Sequence, residues 1–140
     1  MLRKRFLNLV LVVLLTGCAG SAQPATDITI LATDFSYMPS SLTVPVGQPI
    51  TLTITNNGKV EHDFVITKIS LTDVVQPNGG TSMGHDMGAA EYDLHVSTQA
   101  GGTSVITFTP TEAGTYDIFC TIQGHKEAGM LGTLIVVASE

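Results

Sequence analysis

The sequence predicts an all-β domain, a Greek-key β-sandwich of seven to eight short strands. Three observations carry that expectation. Apolar residues alternate with polar ones in several short runs, most clearly Ile50-Thr-Leu-Thr-Ile54-Thr, and period two marks a half-buried strand. Gly, Pro and Asn clusters separate the runs, and no stretch repeats convincingly as an amphipathic helix does. Val, Ile and Thr are plentiful, whereas aromatic residues make up 6% and Trp is absent, a balance that favours strands over long helices. At 140 residues and 44% apolar content, the chain has material for one domain with a sizeable core.

Residues 1–17 read as an export signal. Arg3-Lys4-Arg5 is the charged start, and Phe6 to Leu15 is an apolar stretch interrupted only by Asn8, too short to span a bilayer. Leu15-Thr16-Gly17-Cys18 resembles a bacterial lipobox, in which small residues precede a cysteine that is lipidated and becomes the mature N-terminus. Cleavage after Ala19 or Ala22, or an uncleaved anchor, are the alternatives. Several acyl chains on Cys18 would hold the protein stably at the periplasmic or extracellular face of a bacterial membrane. Residues 18–26, small and polar, then form a lipidated tether, and the folded domain occupies 27–140. Removing the signal leaves three basic residues against twelve acidic ones, a net charge of −9. That balance argues against binding nucleic acid and suits soluble partners with positive patches.

Along the domain, strands are expected at Ile28–Ile30, Ser41–Val44 and Ile50–Thr55, separated by turns at Pro45–Pro49 and Asn56–Gly58. Asp63 to Ile69 reads as a further strand. Between Asn78 and Asp93 the texture changes to Gly, Ser, Met, Asp and His, as in a long loop or insertion. Regularity returns at Leu94–Val96, Ser104–Thr109, Gly114–Cys120 and Gly132–Ala138.

The chemistry concentrates near the C-terminus, where Cys120, His125 and Met130 stand at intervals of five on one short loop. A soft thiolate and thioether favour Cu(I), imidazole suits both oxidation states, and His₂Cys with a long axial Met describes an electron-transfer copper site. His62 can supply the second imidazole if the strand that precedes it lies beside the strand that delivers Cys120. Zinc could also occupy Cys and two His, but methionine is a poor zinc ligand. With Cys18 lipidated, Cys120 has no disulfide partner, and a lone thiol in an oxidising compartment invites oxidation unless it is buried or metal-bound. A second candidate, Met83-Gly-His85-Asp-Met87, presents soft ligands suited to an accessory Cu(I) site, or is simply a solvated loop. His95 reads as a surface or hydrogen-bonded histidine.

His62 followed by a distant Cys-x₄-His-x₄-Met before the last strand resembles the cupredoxins, the small blue copper proteins. The likeness covers roughly Asp27 to Ala138 and is sharpest over Gly114–Leu134, which looks most like the auracyanin branch; plastocyanins usually have two residues between Cys and His, where four stand here. Phe35-Ser-Tyr-Met-Pro-Ser-Ser-Leu-Thr-Val-Pro-Val-Gly47 is also typical of the family.

The resemblance implies one type 1 copper with His62 and His125 equatorial, Cys120 as the thiolate and Met130 as the weak axial ligand. Glu61 would contribute at most its backbone oxygen. Asp63 stands where many relatives have Asn and should hydrogen-bond near Thr121; a carboxylate so close favours Cu(II) and lowers the potential. Asp63→Asn should therefore raise the potential measured by redox titration, and an unchanged value would sink that expectation. His125 would be the electron port, with Gly124, Ala128, Gly129, Leu131, Met38 and Pro39 as an apolar docking rim. The resemblance implies a monomeric one-electron carrier, not an enzyme, exchanging electrons with redox protein partners. The alternative is a copper storage or delivery protein using the Met83/His85/Met87 loop.

Overall fold

The computed structural model describes residues 24–76 and 92–138, arranged as ten strands in two five-stranded sheets, with no helix among the described residues. The strands are β1 (Asp27–Thr33), β2 (Ser36–Met38), β3 (Ser41–Pro45), β4 (Ile50–Asn56), β5 (His62–Ile66), β6 (Leu71–Val75), β7 (Leu94–Thr98), β8 (Thr103–Pro110), β9 (Gly114–Phe119) and β10 (Leu131–Val137). One sheet has the order β2-β1-β4-β8-β6 and the other β3-β10-β9-β5-β7.

Alternation does in three dimensions what it promised in sequence. In β4, Ile50, Leu52 and Ile54 point inward and are buried while the intervening threonines are half-exposed, because successive side chains of a strand face opposite sides. Ile106 and Phe108 of β8 join them from the same sheet, and Leu42, Phe64, Ile118, Leu134 and Val136 close the core from the other. Two parallel pairings set the Greek-key character: β1 with β4, Ile30 opposite Ile54, and β3 with β10, Leu42 opposite Leu134. The chain therefore changes sheet between β2 and β3.

Ten strands replace the seven to eight expected from the sequence, and the two additions have clear reasons for escaping notice. β2 has three residues, too few to display a period. β6 is an edge strand whose alternation is broken by Asp73 at φ 53° and by a register shift between Thr72 and Val75. The strand expected over Asp63–Ile69 is shorter and starts earlier, as β5. Ile69 still packs in the core beyond its end, with its N–H donated to Asp93 Oδ2 at 2.8 Å. Cys18 and the Met83/His85/Met87 segment lie outside the described residues.

For the site, three consequences of this topology matter. β5 and β9 are antiparallel neighbours, with Val65 opposite Phe119. β9 hands the chain directly to Cys120, and β10 resumes at Leu131, immediately after Met130. The turn between β1 and β2 carries Asp34 and Phe35 to the same end of the sandwich as His62 and His125.

Candidate metal centre

His62 opens β5 on the face that also carries Phe64 and Ile66 into the core, so its ring projects inward at the end of the sandwich. The strand beside the Cys120 strand is thus the one that His62 begins; the preceding strand β4 belongs to the other sheet. The sequence expectation had the wrong neighbour but the right juxtaposition, because the turn after Asn56 carries the chain across between sheets. Cys120 continues the inward face of Ile118 and is 1% exposed.

The loop from Cys120 to Met130 is tied by its own backbone. His125 N–H donates to Ile122 O, Ala128 N–H to Gly124 O, Gly129 N–H to Lys126 O and Met130 N–H to His125 O, each at 3.0 Å. Two of its turns need left-handed backbone, at Gly124 (φ 85°) and Gly129 (φ 104°), which glycine adopts without a side-chain clash. These bonds return His125 and Met130 to the interior at either end of one short arc. Met130 is fully buried.

Three donor atoms converge as a result. His62 Nδ1 lies 3.2 Å from His125 Nδ1, Cys120 Sγ lies 3.4 Å from His125 Nδ1, and the ligand atoms of the three residues are all within 4.8 Å of one another. Such separations suit a single ion held about 2 Å from each nitrogen and about 2.3 Å from sulfur, the distances typical of a first-row metal. The donor set itself, thiolate plus two imidazoles with a thioether buried at the end of the same loop, selects copper over harder metals.

A surrounding layer of polar groups holds these donors. Asp63 N–H donates to Cys120 Sγ at 3.3 Å, and its carboxylate accepts from the Thr121 hydroxyl. Burial raises the Asp63 carboxyl, but the His95 ring, with Nε2 3.5 Å from Oδ2, and the Thr121 hydroxyl outweigh it and hold it below its ordinary value. The Tyr37 hydroxyl donates to the Asp63 carbonyl, and burial pushes its pKa far up, so it stays protonated. Burial also pushes the Cys120 thiol up, against the backbone N–H groups of Asp63 and Ile122. A metal bound here would therefore take the place of a proton on Cys120.

Some residues around the centre were not singled out from sequence. Asp34 Oδ1 lies 2.9 Å from His62 Nε2. Phe35 lies against the His125 ring, with centroids 4.6 Å apart. Asn56, fully buried, donates from Nδ2 to Val60 O and Thr98 O at 2.8 Å each and accepts from Gly58 N–H, bracing the turn that leads into His62. Asn56-Asn-Gly58 carried a turn signal, but Asp34 stands 28 residues from its partner with no local pattern to announce it. Phe35, which lies against the His125 ring, is 40% exposed, and Met38 and Leu131 are exposed apolar residues as well, at 67% and 46%.

The chain matches the family model for a cupredoxin-like domain over residues 6–136. It belongs to the cupredoxin family. The copper-resistant cuproprotein CopI of Rubrivivax gelatinosus is 32% identical over 123 residues, spanning 86% of this chain and 70% of that one. Auracyanin-A of Chloroflexus aurantiacus is 30% identical over 126 residues, spanning 84% and 77% respectively. Among solved structures, the dithionite-reduced auracyanin of Roseiflexus castenholzii superposes with a TM-score of 0.64 at 27% identity, covering 82% of this chain and 99% of that one. The fold of this cupredoxin is thus all-β with auracyanins among its relatives, and its cofactor is one copper ion, for which His62, Cys120 and His125 form the convergent donor group.

Proposed function

We propose that this cupredoxin is a one-electron carrier whose type 1 copper is held by His62, Cys120, His125 and Met130. The observation that carries the reading is the burial of that set: His62 and Cys120 are 1% exposed, Met130 is fully enclosed and His125 is 7% exposed. Copper supplies the chemistry by alternating between Cu(I) and Cu(II). The protein's part is to keep the donors in place in both states. Neighbouring strands of one sheet hold His62 and Cys120, and the hydrogen-bonded loop holds His125 and Met130, so buried packing and backbone bonds fix both pairs.

Phe35, packed against the His125 ring, shields the donors from water. The exposed part of Phe35 would give a redox partner an apolar contact next to His125, the most exposed of the four. The excess of acidic residues would steer partners with positive patches towards the molecule. In this reading the protein is exported and lipid-anchored through Cys18, and it works as a monomer. No substrate is transformed, so it acts as a carrier and not as an enzyme.

A second reading has a specific observation in its favour. The chain is as similar to proteins named for copper resistance as to an auracyanin, and Met83, His85 and Met87 offer soft ligands for further Cu(I). Titrating the purified protein with Cu(II), and then with Cu(I), while recording the visible spectrum separates the two. An intense thiolate-to-copper band that saturates at one equivalent supports the carrier. Colourless binding, or strong uptake of further Cu(I) that Met83→Leu and Met87→Leu abolish, supports copper handling.

A further inference from the structure

His62 is held on its far side by a carboxylate. Its Nδ1 faces His125 Nδ1 at 3.2 Å, while its Nε2 lies 2.9 Å from Asp34 Oδ1. The ring is 1% exposed and the Asp34 side chain 27%, so the contact spans the boundary between the buried centre and solvent. A carboxylate accepts and does not donate when ionised. The contact therefore requires the proton on Nε2, and in the neutral imidazole that leaves the Nδ1 lone pair free for a metal.

Asp34 is itself fixed from two directions. Lys59 N–H donates to both of its oxygens, at 3.2 Å to Oδ1 and 3.0 Å to Oδ2. Gly58 covers the pair so closely that a Cβ there would lie 2.3 Å from Asp34 Oδ1 and 2.6 Å from His62 Nε2. The Asn56–Lys59 turn is thus shaped around the carboxylate and the imidazole together, and any larger residue at 58 would displace one of them.

We propose that Asp34 is a positioning residue of the copper centre, selecting the His62 tautomer that presents Nδ1 to the metal and making that nitrogen a stronger donor to Cu(II). The inference rests on His62 being a copper ligand. The physical basis is general: a carboxylate hydrogen-bonded to the remote nitrogen of a ligating histidine orients the ring and raises its basicity, and loss of such a partner costs roughly 10–100-fold in metal affinity. A more basic, partly anionic imidazole favours the higher charge on copper, so the effect is larger for Cu(II) than for Cu(I).

The test uses Asp34→Asn, which keeps the shape and an acceptor oxygen but removes the charge, and Asp34→Ala, which removes the acceptor. In the copper-free protein, ¹⁵N–¹H correlation of the imidazoles should show His62 as the Nε2–H tautomer in the wild type and in Asp34→Asn, and as a mixture in Asp34→Ala. In the copper-loaded protein, both variants should bind Cu(II) about tenfold or more weakly with a smaller loss for Cu(I). The potential should therefore rise, a tenfold change in the affinity ratio corresponding to about 59 mV. Unchanged tautomer and unchanged potential in Asp34→Ala would overturn the proposal. If the wild type took up copper without involving His62, the ligand assignment would fall, and the copper-free tautomer measurement would still decide whether Asp34 sets the ring.

Discussion

Cys120→Ser is expected to abolish the visible band of the copper-loaded protein and to weaken copper binding by more than the ~10–100-fold that loss of an outer partner costs. Sγ is 3.4 Å from His125 Nδ1, receives the Asp63 N–H at 3.3 Å and sits in a residue 1% exposed. Serine's hydroxyl fits that space, so the fold should survive. What it lacks is a polarizable donor that yields its proton to a soft metal: a hydroxyl is a hard group that stays protonated, and soft thiolate ligation is what selects copper here. Absorption and electron paramagnetic resonance spectra of the Cu(II) form are the checks. A variant that kept an intense charge-transfer band would remove Cys120 from the centre. Circular dichroism of the metal-free variant should match the wild type, separating lost chemistry from lost structure.

Phe64→Ala is expected to destabilise the copper-free protein by about 3–5 kcal/mol, the range for truncating a fully enclosed aromatic side chain. Phe64 is 1% exposed, sits on the same face of β5 as His62 and meets the Tyr37 ring edge-on at a centroid distance of 6.1 Å. Its removal leaves a cavity beneath the metal donors and loses the aromatic pair as well. Copper offsets part of the loss, because a ligand bound only to the folded state adds stability as it saturates, about 4 kcal/mol at a thousand times its dissociation constant. Chemical denaturation with and without copper measures both effects. A loss under about 1 kcal/mol in the copper-free protein would mean that the site collapses around the vacancy, and that Phe64 does not brace it.

Legibility differed from one residue to the next for physical reasons. β4 was plain because it alternates over seven residues, and β10 because Leu134 to Val137 is an unbroken branched apolar run; both are properties of the chain itself. β2 and β6 were not, one being three residues long and the other an irregular edge strand. Cys120, His125 and Met130 were legible because they share a loop, and their spacing is a local fact. His62 was legible only conditionally, as the imidazole that could complete the set if its strand lay beside that of Cys120, since nothing near it in sequence says which strand it will face. The sequence expectation paired β9 with the strand before His62, while the sheet pairs it with the strand His62 begins.

By itself, then, the sequence determined the fold class and the chemistry of the C-terminal loop, because period two, turn residues and close ligand spacing are all local. Only the tertiary structure decided that β1 lies parallel to β4, which sets the β1–β2 turn over the end of the sandwich. That placement brings Asp34 against His62 Nε2 and Phe35 against the His125 ring. Contacts between residues 28 and 90 positions apart are made by sheet register, and register is settled by the packing of whole faces, which no short stretch of sequence contains.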